Sequence, residues 1–166
     1  GWKEYIKAKR MEISCGESSY LVSRYDSVTG KPIELEERIG LLDRKMRIIN
    51  ENTNTEKEWF KWVEEAFKSI YGYEFQGDNL LLARENLLFT FIDNLQFKFN
   101  RKPLEGELKK IATIISWNLW QMDGLIFRPP FDSNHNVSFQ QKLFSEVENS
   151  YKKLNNCVIK DWDSKE

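Results

Sequence analysis

The sequence is poor in the residues that build disulfide frameworks and metal centres. Among 166 residues it has two cysteines, Cys15 and Cys157, one histidine and four prolines. Two cysteines cannot form a framework of disulfides, and two cysteines with one histidine cannot supply a four-ligand metal set. We therefore predict no metal site. Such sparse cysteine is typical of a protein in a reducing cytoplasm.

Long apolar runs and an excess of charge are also missing. No run approaches the roughly 18 apolar residues of a membrane-spanning helix, so we expect no membrane partner. The 25 Lys and Arg are balanced by 26 Asp and Glu, giving a formal net charge of −1. Proteins that wrap nucleic acid alone usually carry a basic excess. A DNA contact, if made, is expected to be local or supplied through a partner subunit.

Apolar and aromatic residues are plentiful. Hydrophobic residues make up 40% of the chain and aromatics 14%, including six Trp and eleven Phe. This content is ordinary for a globular protein and excludes disorder of the whole chain. The length suits one domain, so we predict a single α/β domain over residues 1–166. A polar loop or insertion is expected at about 132–156, where the composition changes.

Hydrophobic periodicity predicts short strands that alternate with helices. Thr55, followed three residues later by Glu58, predicts a helix start. Trp59, Trp62, Trp117 and Trp120 fall on predicted core faces. We predict helices over 34–52, 56–72, 79–99 and 104–116, with strands near 11–15, 73–76, 118–127 and 157–159. Such alternation favours a parallel sheet with helices on both faces, a helix-rich, Rossmann-like fold.

Three short acidic segments each lie at the end of a predicted strand, and they contain Glu12, Glu74 and Asp123. Ligands of open α/β sheets bind at the carboxyl ends of the strands. One carboxylate there can accept both hydroxyls of a ribose, and another can accept from an exocyclic amine. A turn containing Gly16 would let the backbone approach a ligand closely. Together these features predict a site for an adenosine-type cofactor.

The same segments resemble the motifs of a known family. Residues 11–21, MEISCGESSYL, resemble the first motif, E-P-x-C-G-x-G-x-F/L, of S-adenosylmethionine-dependent adenine-N6 DNA methyltransferases. Residues 70–88 and 114–125 resemble the second and third motifs, in the same order. Over residues 2–163 the chain is similar to small restriction endonuclease subunit M proteins. The resemblance implies a modification-subunit-like component of a bacterial-type restriction–modification system, with S-adenosylmethionine as cofactor and DNA as a partner.

The resemblance also implies which residues contact the cofactor. It assigns Glu12, Cys15 and Gly16 to the methionine part, Glu74 to the ribose hydroxyls, Asp123 to the adenine amine, and Phe75 or Leu125 to the face of the ring.

Two departures from the family pattern bear on catalysis. Ser18 stands where the first motif has its second glycine. The catalytic motif D/N-P-P-Y/F is matched only by Arg128, Pro129, Pro130 and Phe131, which are weak catalytic candidates. In the family the first residue accepts a hydrogen bond from the target amine of a flipped base, whereas arginine has only donors. We therefore expect a partner subunit to supply catalysis or target recognition.

Two other functions remain open at this stage. The departures at Ser18 and Arg128 favour a non-catalytic structural or DNA-recognition module on the same fold, while Glu74 and Asp123 oppose it. Asp161 and Asp163 faintly resemble part of a metal-dependent nuclease site.

Overall fold

The computed structural model describes residues 1–125, 128–130 and 159–164. The predicted insertion at 132–156 lies outside these residues. In the part described, helices and strands alternate and confirm the α/β class. The elements are α1 (Trp2–Lys7), β1 (Arg10–Glu12), α2 (Leu41–Asn52), α3 (Glu56–Lys68), β2 (Ile70–Glu74), α4 (Gly77–Phe99), α5 (Glu105–Asn118) and β3 (Leu119–Gln121), with a single 3-10 turn at Leu35–Glu37.

The three strands form one small parallel sheet in the order β1-β2-β3. Met11 of β1 is in register with Tyr71 of β2, and Tyr73 of β2 is in register with Trp120 of β3. All five residues of the central strand β2 are buried. Burial along a whole strand means that both faces of the sheet are covered at its centre, as expected for parallel sheets. Helices α3, α4 and α5 all contact β2.

Helix α3 confirms one predicted start and corrects one predicted end. The Thr55 hydroxyl accepts the backbone N–H of Glu58 at 3.3 Å, as an N-cap does. The helix was predicted to continue to residue 72, but it ends at Lys68 and strand β2 begins at Ile70. The helical apolar pattern continues through Ile70 only because both faces of the following strand are buried.

The start of helix α2 also differs from the prediction. The apolar spacing predicted a helix from residue 34, but α2 begins at Leu41, and Ile39 before it is 64% exposed. The Asp43 carboxylate accepts the backbone N–H groups of Ser23 at 2.7 Å and Gly40 at 3.1 Å. This carboxylate satisfies the backbone N–H of the N-cap residue Gly40 and links the helix start to Ser23.

An aromatic cluster between the helices fills the core. Trp59 is fully buried and lies edge-on to Phe99, with ring centroids 5.5 Å apart. Its indole N–H donates to the Asn50 side chain at 2.7 Å. Trp62 is also buried, as predicted, whereas Trp117 is 43% exposed and corrects the prediction that it belongs to the core. Trp117 is the penultimate residue of α5. The helical pattern predicts that Trp117 belongs to the helix, but it does not predict whether the side chain is buried.

Two buried polar side chains fix the strands in place. Lys45 donates from Nζ to the carbonyl oxygens of Ile6 at 2.8 Å and Ala8 at 2.6 Å, and to the Ser69 hydroxyl at 2.5 Å. These bonds join α2 to the residues that precede β1 and β2. Burial lowers the pKa of Lys45 to about 8, because a buried ammonium loses its hydration.

Asn118 makes the corresponding connection at the end of α5. Its Nδ2 donates to three backbone carbonyls, and its Oδ1 accepts the indole N–H of Trp162 at 2.7 Å. The three acceptors are the carbonyl oxygens of Phe67 at 3.0 Å, Lys68 at 3.2 Å and Ile70 at 2.9 Å. This one side chain therefore ties the end of α3 and the start of β2 to the residue that precedes β3.

Candidate functional site

The carboxyl ends of the three strands meet at one edge of the sheet, which we call the carboxyl edge. The last residues of the strands are Glu12, Glu74 and Gln121. Because the strands are parallel and adjacent, the loops that follow them are neighbours. The seven residues that the resemblance assigns to a cofactor all lie at these strand ends or in these loops.

Glu74 is a buried hydrogen-bond acceptor at the end of the central strand. Its Oε2 accepts the backbone N–H of Gly16 at 2.8 Å, and its Oε1 accepts the backbone N–H of Gln76 at 3.0 Å. The residue is only 7% exposed. Its carboxylate therefore ties the loop after β1 to the end of β2.

Two residues of the loop after β1 have the left-handed backbone conformation that favours glycine. Gly16 has φ of +52° and Ser18 has φ of +70°. A Cβ at Gly16 would meet no other atom of the protein within 4 Å, so within the protein this glycine serves the backbone angle. Ser18 adopts the left-handed conformation even though it carries a Cβ, at a cost of about 1 kcal/mol. Ser18 therefore holds a backbone conformation that favours glycine.

Glu12 and Cys15 lie beside Glu74 in surroundings that disfavour negative charge. Glu12 Oε2 is buried and has no hydrogen-bond partner among the described residues, and burial raises the pKa of this carboxyl group. The pKa of Cys15 is raised to about 12, first by burial and then by the negative charges of Glu12 and Glu74. The thiol is therefore protonated and inert at neutral pH.

A cavity of about 340 Å³ opens at the carboxyl edge. Phe75 and Leu125 line it and are exposed, at 50% and 83%, so they present apolar surface to solvent. Three residues predicted to bind the cofactor, Phe75, Asp123 and Leu125, line this cavity together. The other four lining residues were not predicted from the sequence. The lining consists of Ile13, Ser14, Phe75, Met122, Asp123, Gly124 and Leu125. The other four predicted residues, Glu12, Cys15, Gly16 and Glu74, are not part of this lining.

The loops after β1 and β3 touch each other at this cavity. A Cβ at Gly124 would lie 2.0 Å from the carbonyl oxygen of Ile13, so only glycine fits at this position. Asp123 Oδ1 accepts the backbone N–H of Leu125 at 2.8 Å. The Asp-Gly pair was the only signal in the sequence for this close approach, and it could not identify Ile13 as the partner.

No family model, curated protein or solved structure matches this chain. Support for a function therefore comes from the residues at the carboxyl edge and from the motifs that contain them.

The weak catalytic candidates lie next to this site in part. The backbone N–H of Asp123 donates to the carbonyl oxygen of Arg128 at 2.9 Å, and the two residues form an antiparallel bridge. Arg128 therefore lies beside Asp123, Pro129 and Pro130 follow it in the chain, and Phe131 lies outside the described residues. The described geometry at Arg128 is a backbone contact, and its guanidinium carries only hydrogen-bond donors.

The two acidic residues of the nuclease hypothesis, Asp161 and Asp163, form exposed ion pairs with a lysine. Lys9 Nζ lies 2.7 Å from Asp161 and 3.1 Å from Asp163. Within the described residues no three His, Cys, Asp or Glu side chains are grouped to hold a metal ion.

No described helix has the length and apolar content needed to cross a bilayer. Cys157 lies outside the described residues.

Proposed function

We propose that this chain is a modification-subunit-like component of a DNA restriction–modification system. In this proposal it is the S-adenosylmethionine-binding part of an adenine-N6 DNA methyltransferase with a Rossmann-like sheet. The observation that carries the proposal is the cavity at the carboxyl edge, where Phe75, Asp123 and Leu125 come together from two loops. These are the residues to which the motif resemblance gives the adenine ring.

The chemistry of the cavity suits a purine. Phe75 and Leu125 supply apolar surface on which an aromatic ring packs, and Asp123 is a carboxylate in the same lining. A volume of about 340 Å³ lies within the range of small-ligand sites, roughly 300–1,000 Å³. A flat heterocycle with an exocyclic amine would find an apolar contact and an acceptor in one place.

The neighbouring acidic residues suit the rest of the cofactor. Glu12 Oε2 is a buried acceptor without a partner among the described residues, and an ammonium group such as that of the methionine part would satisfy it. Each oxygen of Glu74 accepts one backbone N–H, and a carboxylate oxygen has two lone pairs. Ribose hydroxyls would share Glu74 with Gly16 and Gln76. When bound, S-adenosylmethionine supplies a methyl group for transfer.

Catalysis is expected to need a second subunit. Arg128 has only donors, so it cannot accept a hydrogen bond from the amine of a target base. The net charge of −1 likewise gives the chain no excess of positive charge with which to hold DNA alone. In this proposal, the partner supplies the missing catalytic motif, the recognition of the DNA target, or both.

A second candidate is a non-catalytic structural or DNA-recognition module on the same fold. It is favoured by the burial of Glu74, whose two oxygens already bond to the backbone of Gly16 and Gln76. In such a module, Glu74 would have kept the role of holding the loop after β1 without contacting any ribose.

Calorimetric titration of the purified chain with S-adenosylmethionine and S-adenosylhomocysteine tests the proposal. We expect saturable one-to-one binding. Phe75→Ala removes an exposed ring from the cavity and should weaken binding by at least about fivefold, because aromatic contacts contribute about 1 kcal/mol beyond their area. Leu82→Ala is the matched control, because Leu82 is similarly exposed on α4 and does not line the cavity.

Two outcomes would contradict the proposal in different ways. A folded chain that binds neither compound would favour the non-catalytic module. Binding that Phe75→Ala leaves unchanged would show that the cofactor lies elsewhere than in the cavity at the carboxyl edge.

A further inference from the structure

A second cavity lies against α4, between the segment that joins β1 to α2 and the start of α5, and we call it the arginine cavity. Its volume is about 760 Å³, and it shares no lining residue with the cavity at the carboxyl edge. Arg24 and Arg38 of the joining segment line it together with Asp93 of α4. The proposed cofactor function uses none of these residues.

One carboxylate holds both arginines of this cavity. Oδ2 of Asp93 accepts from Nη1 of Arg24 at 2.6 Å and from Nη1 of Arg38 at 2.8 Å. Arg38 is 7% exposed, and the side chain of Arg24 is 11% exposed. Two guanidinium groups therefore lie side by side, largely removed from water, with a single carboxylate oxygen between them.

The second terminal nitrogen of each arginine has no protein partner. Neither Nη2 makes a hydrogen bond with a described residue, and neither is enclosed, unlike Nε of Arg24. Nε of Arg38 is occupied, because it donates to the carbonyl oxygen of Ile33 at 3.0 Å. The donors left for a guest of the cavity are therefore the two Nη2 groups, each of which carries two N–H bonds.

The charges around the arginine pair favour a guest with one negative charge. Lys102 and Glu34 are exposed residues of the same lining. Asp43 lies close enough to Arg38 for their charges to interact, and Arg47 donates to the carbonyl oxygen of Arg38 at 2.8 Å. The side chains that line the cavity or interact with the pair are thus four cations and three carboxylates, with a formal charge of +1. This surplus matches a monoanion better than a doubly charged phosphate.

Apolar side chains form much of the remaining lining. Phe97 of α4 is 56% exposed, and Ile92 of α4 and Leu108 of α5 lie in the same lining. A bare inorganic anion would leave this surface in contact with water, whereas a guest with an apolar chain or ring would cover it. The volume also lies within the range of small-ligand sites, roughly 300–1,000 Å³.

We propose that the arginine cavity binds a small organic carboxylate with an apolar chain or ring. Its two oxygens accept from Nη2 of Arg24 and Nη2 of Arg38, and its apolar part packs on Phe97. Such hydrogen bonds between guanidinium and carboxylate groups are charge-assisted and strong. Because the two cavities share no lining residue, this proposal and the cofactor proposal can fail separately.

Calorimetric titration of the full chain with 4-phenylbutyrate tests this proposal. We expect saturable one-to-one binding, weaker binding of phenyl phosphate, and no binding of 4-phenylbutyramide, which has the same ring and chain without the charge. Arg38→Lys keeps a cation that can pair with Asp93 but removes the Nη2 donors. This variant should bind 4-phenylbutyrate about tenfold more weakly, and Arg24→Lys should have a similar effect.

A gain of affinity keeps the test decisive if the arginine variants fail to fold. Glu34→Gln removes an exposed carboxylate from the lining and should strengthen binding about twofold in a buffer of low salt. Glu85→Gln, which removes the same charge from an exposed position on α4 outside the cavity, is the control and should change nothing. Phe97→Ala should weaken binding several-fold through lost apolar contact. Leu81→Ala, at a similarly exposed position on the same helix outside the cavity, should not.

Four outcomes would overturn the proposal. If 4-phenylbutyrate failed to bind at millimolar concentration, the two arginines would only link the segment before α2 to α4. Equal binding of 4-phenylbutyramide would show that the guanidinium groups do not hold the guest. Binding insensitive to both Arg38→Lys and Glu34→Gln would place the guest elsewhere on the protein. Tighter binding of phenyl phosphate than of 4-phenylbutyrate would contradict the choice of a carboxylate.

Discussion

Replacement of Asn118 by aspartate should destabilise the whole domain. Asn118 is 1% exposed, and its Nδ2 group donates to the carbonyl oxygens of Phe67, Lys68 and Ile70. Asn118→Asp keeps an oxygen for the indole N–H of Trp162 but turns a second oxygen towards three carbonyls. The variant therefore removes both donors without creating a void.

The size of the effect follows from these contacts. Two lost hydrogen bonds contribute about 1 kcal/mol each to the free energy of unfolding, and the carbonyls left unpaired add roughly another 1–3 kcal/mol. We therefore expect a loss of about 3 kcal/mol or more. Domains of this kind have a total stability of roughly 5–15 kcal/mol, so the variant should still fold and its unfolding should still be measurable.

Urea unfolding followed by far-UV circular dichroism measures this loss. Asn54→Asp is the matched control, because Asn54 is exposed and precedes helix α3. Its free energy of unfolding should change by less than about 0.5 kcal/mol. A loss below about 1 kcal/mol for Asn118→Asp would refute the idea that this side chain joins α3, β2 and β3.

Three further predictions concern the buried groups near the sheet. Ser18→Gly should be about 1 kcal/mol more stable than Ser18→Ala in urea unfolding, because only glycine adopts φ of +70° without strain; equal stabilities would contradict the strained turn. In a Cys157→Ser background, Cys15 should react with Ellman's reagent at pH 8 only as fast as the chain unfolds, because its raised pKa of about 12 keeps it a thiol. Rapid labelling of the folded chain would contradict the burial and raised pKa of this thiol. The pKa of Lys45 is lowered to about 8 from its usual 10.5, so the unfolded state binds more protons between these pH values. The contribution of Lys45 to stability should therefore increase as the pH rises through that window. The free energy of unfolding of the parent should rise relative to that of Lys45→Met over the same pH range. A difference between the two proteins that stays constant across the window would contradict the lowered pKa of Lys45.

The sequence could predict those features that depend on neighbouring residues in the chain. Thr55 and Glu58 identify the start of α3 because an N-cap acts over three residues. The three acidic segments could also be placed at one edge, because parallel strands align their carboxyl ends. The start of α2 could not be predicted, since the backbone of Ser23, 20 residues away, shares the capping carboxylate of Asp43.

The internal contacts of the site were beyond prediction for the same physical reason. The bond between Gly16 and Glu74 joins residues 58 positions apart, and nothing local in either segment specifies it. The contact between Gly124 and the carbonyl of Ile13 likewise depends on how two loops approach across the end of β2. A sequence pattern shows which residues reach the carboxyl edge, but only the packed chain decides which of them face the cavity.

The parallel sheet has a consequence for the order in which the protein folds. Arg10 pairs with Ile70, and Tyr73 pairs with Trp120, so each pairing closes a long loop before any strand contact forms. Local helix pairs such as α2 with α3 and α4 with α5 involve short connections and can form earlier. The cavity at the carboxyl edge should then be among the last parts to assemble. A ligand bound there would recognise only the complete native state, and it would slow unfolding as well as shift the folding equilibrium.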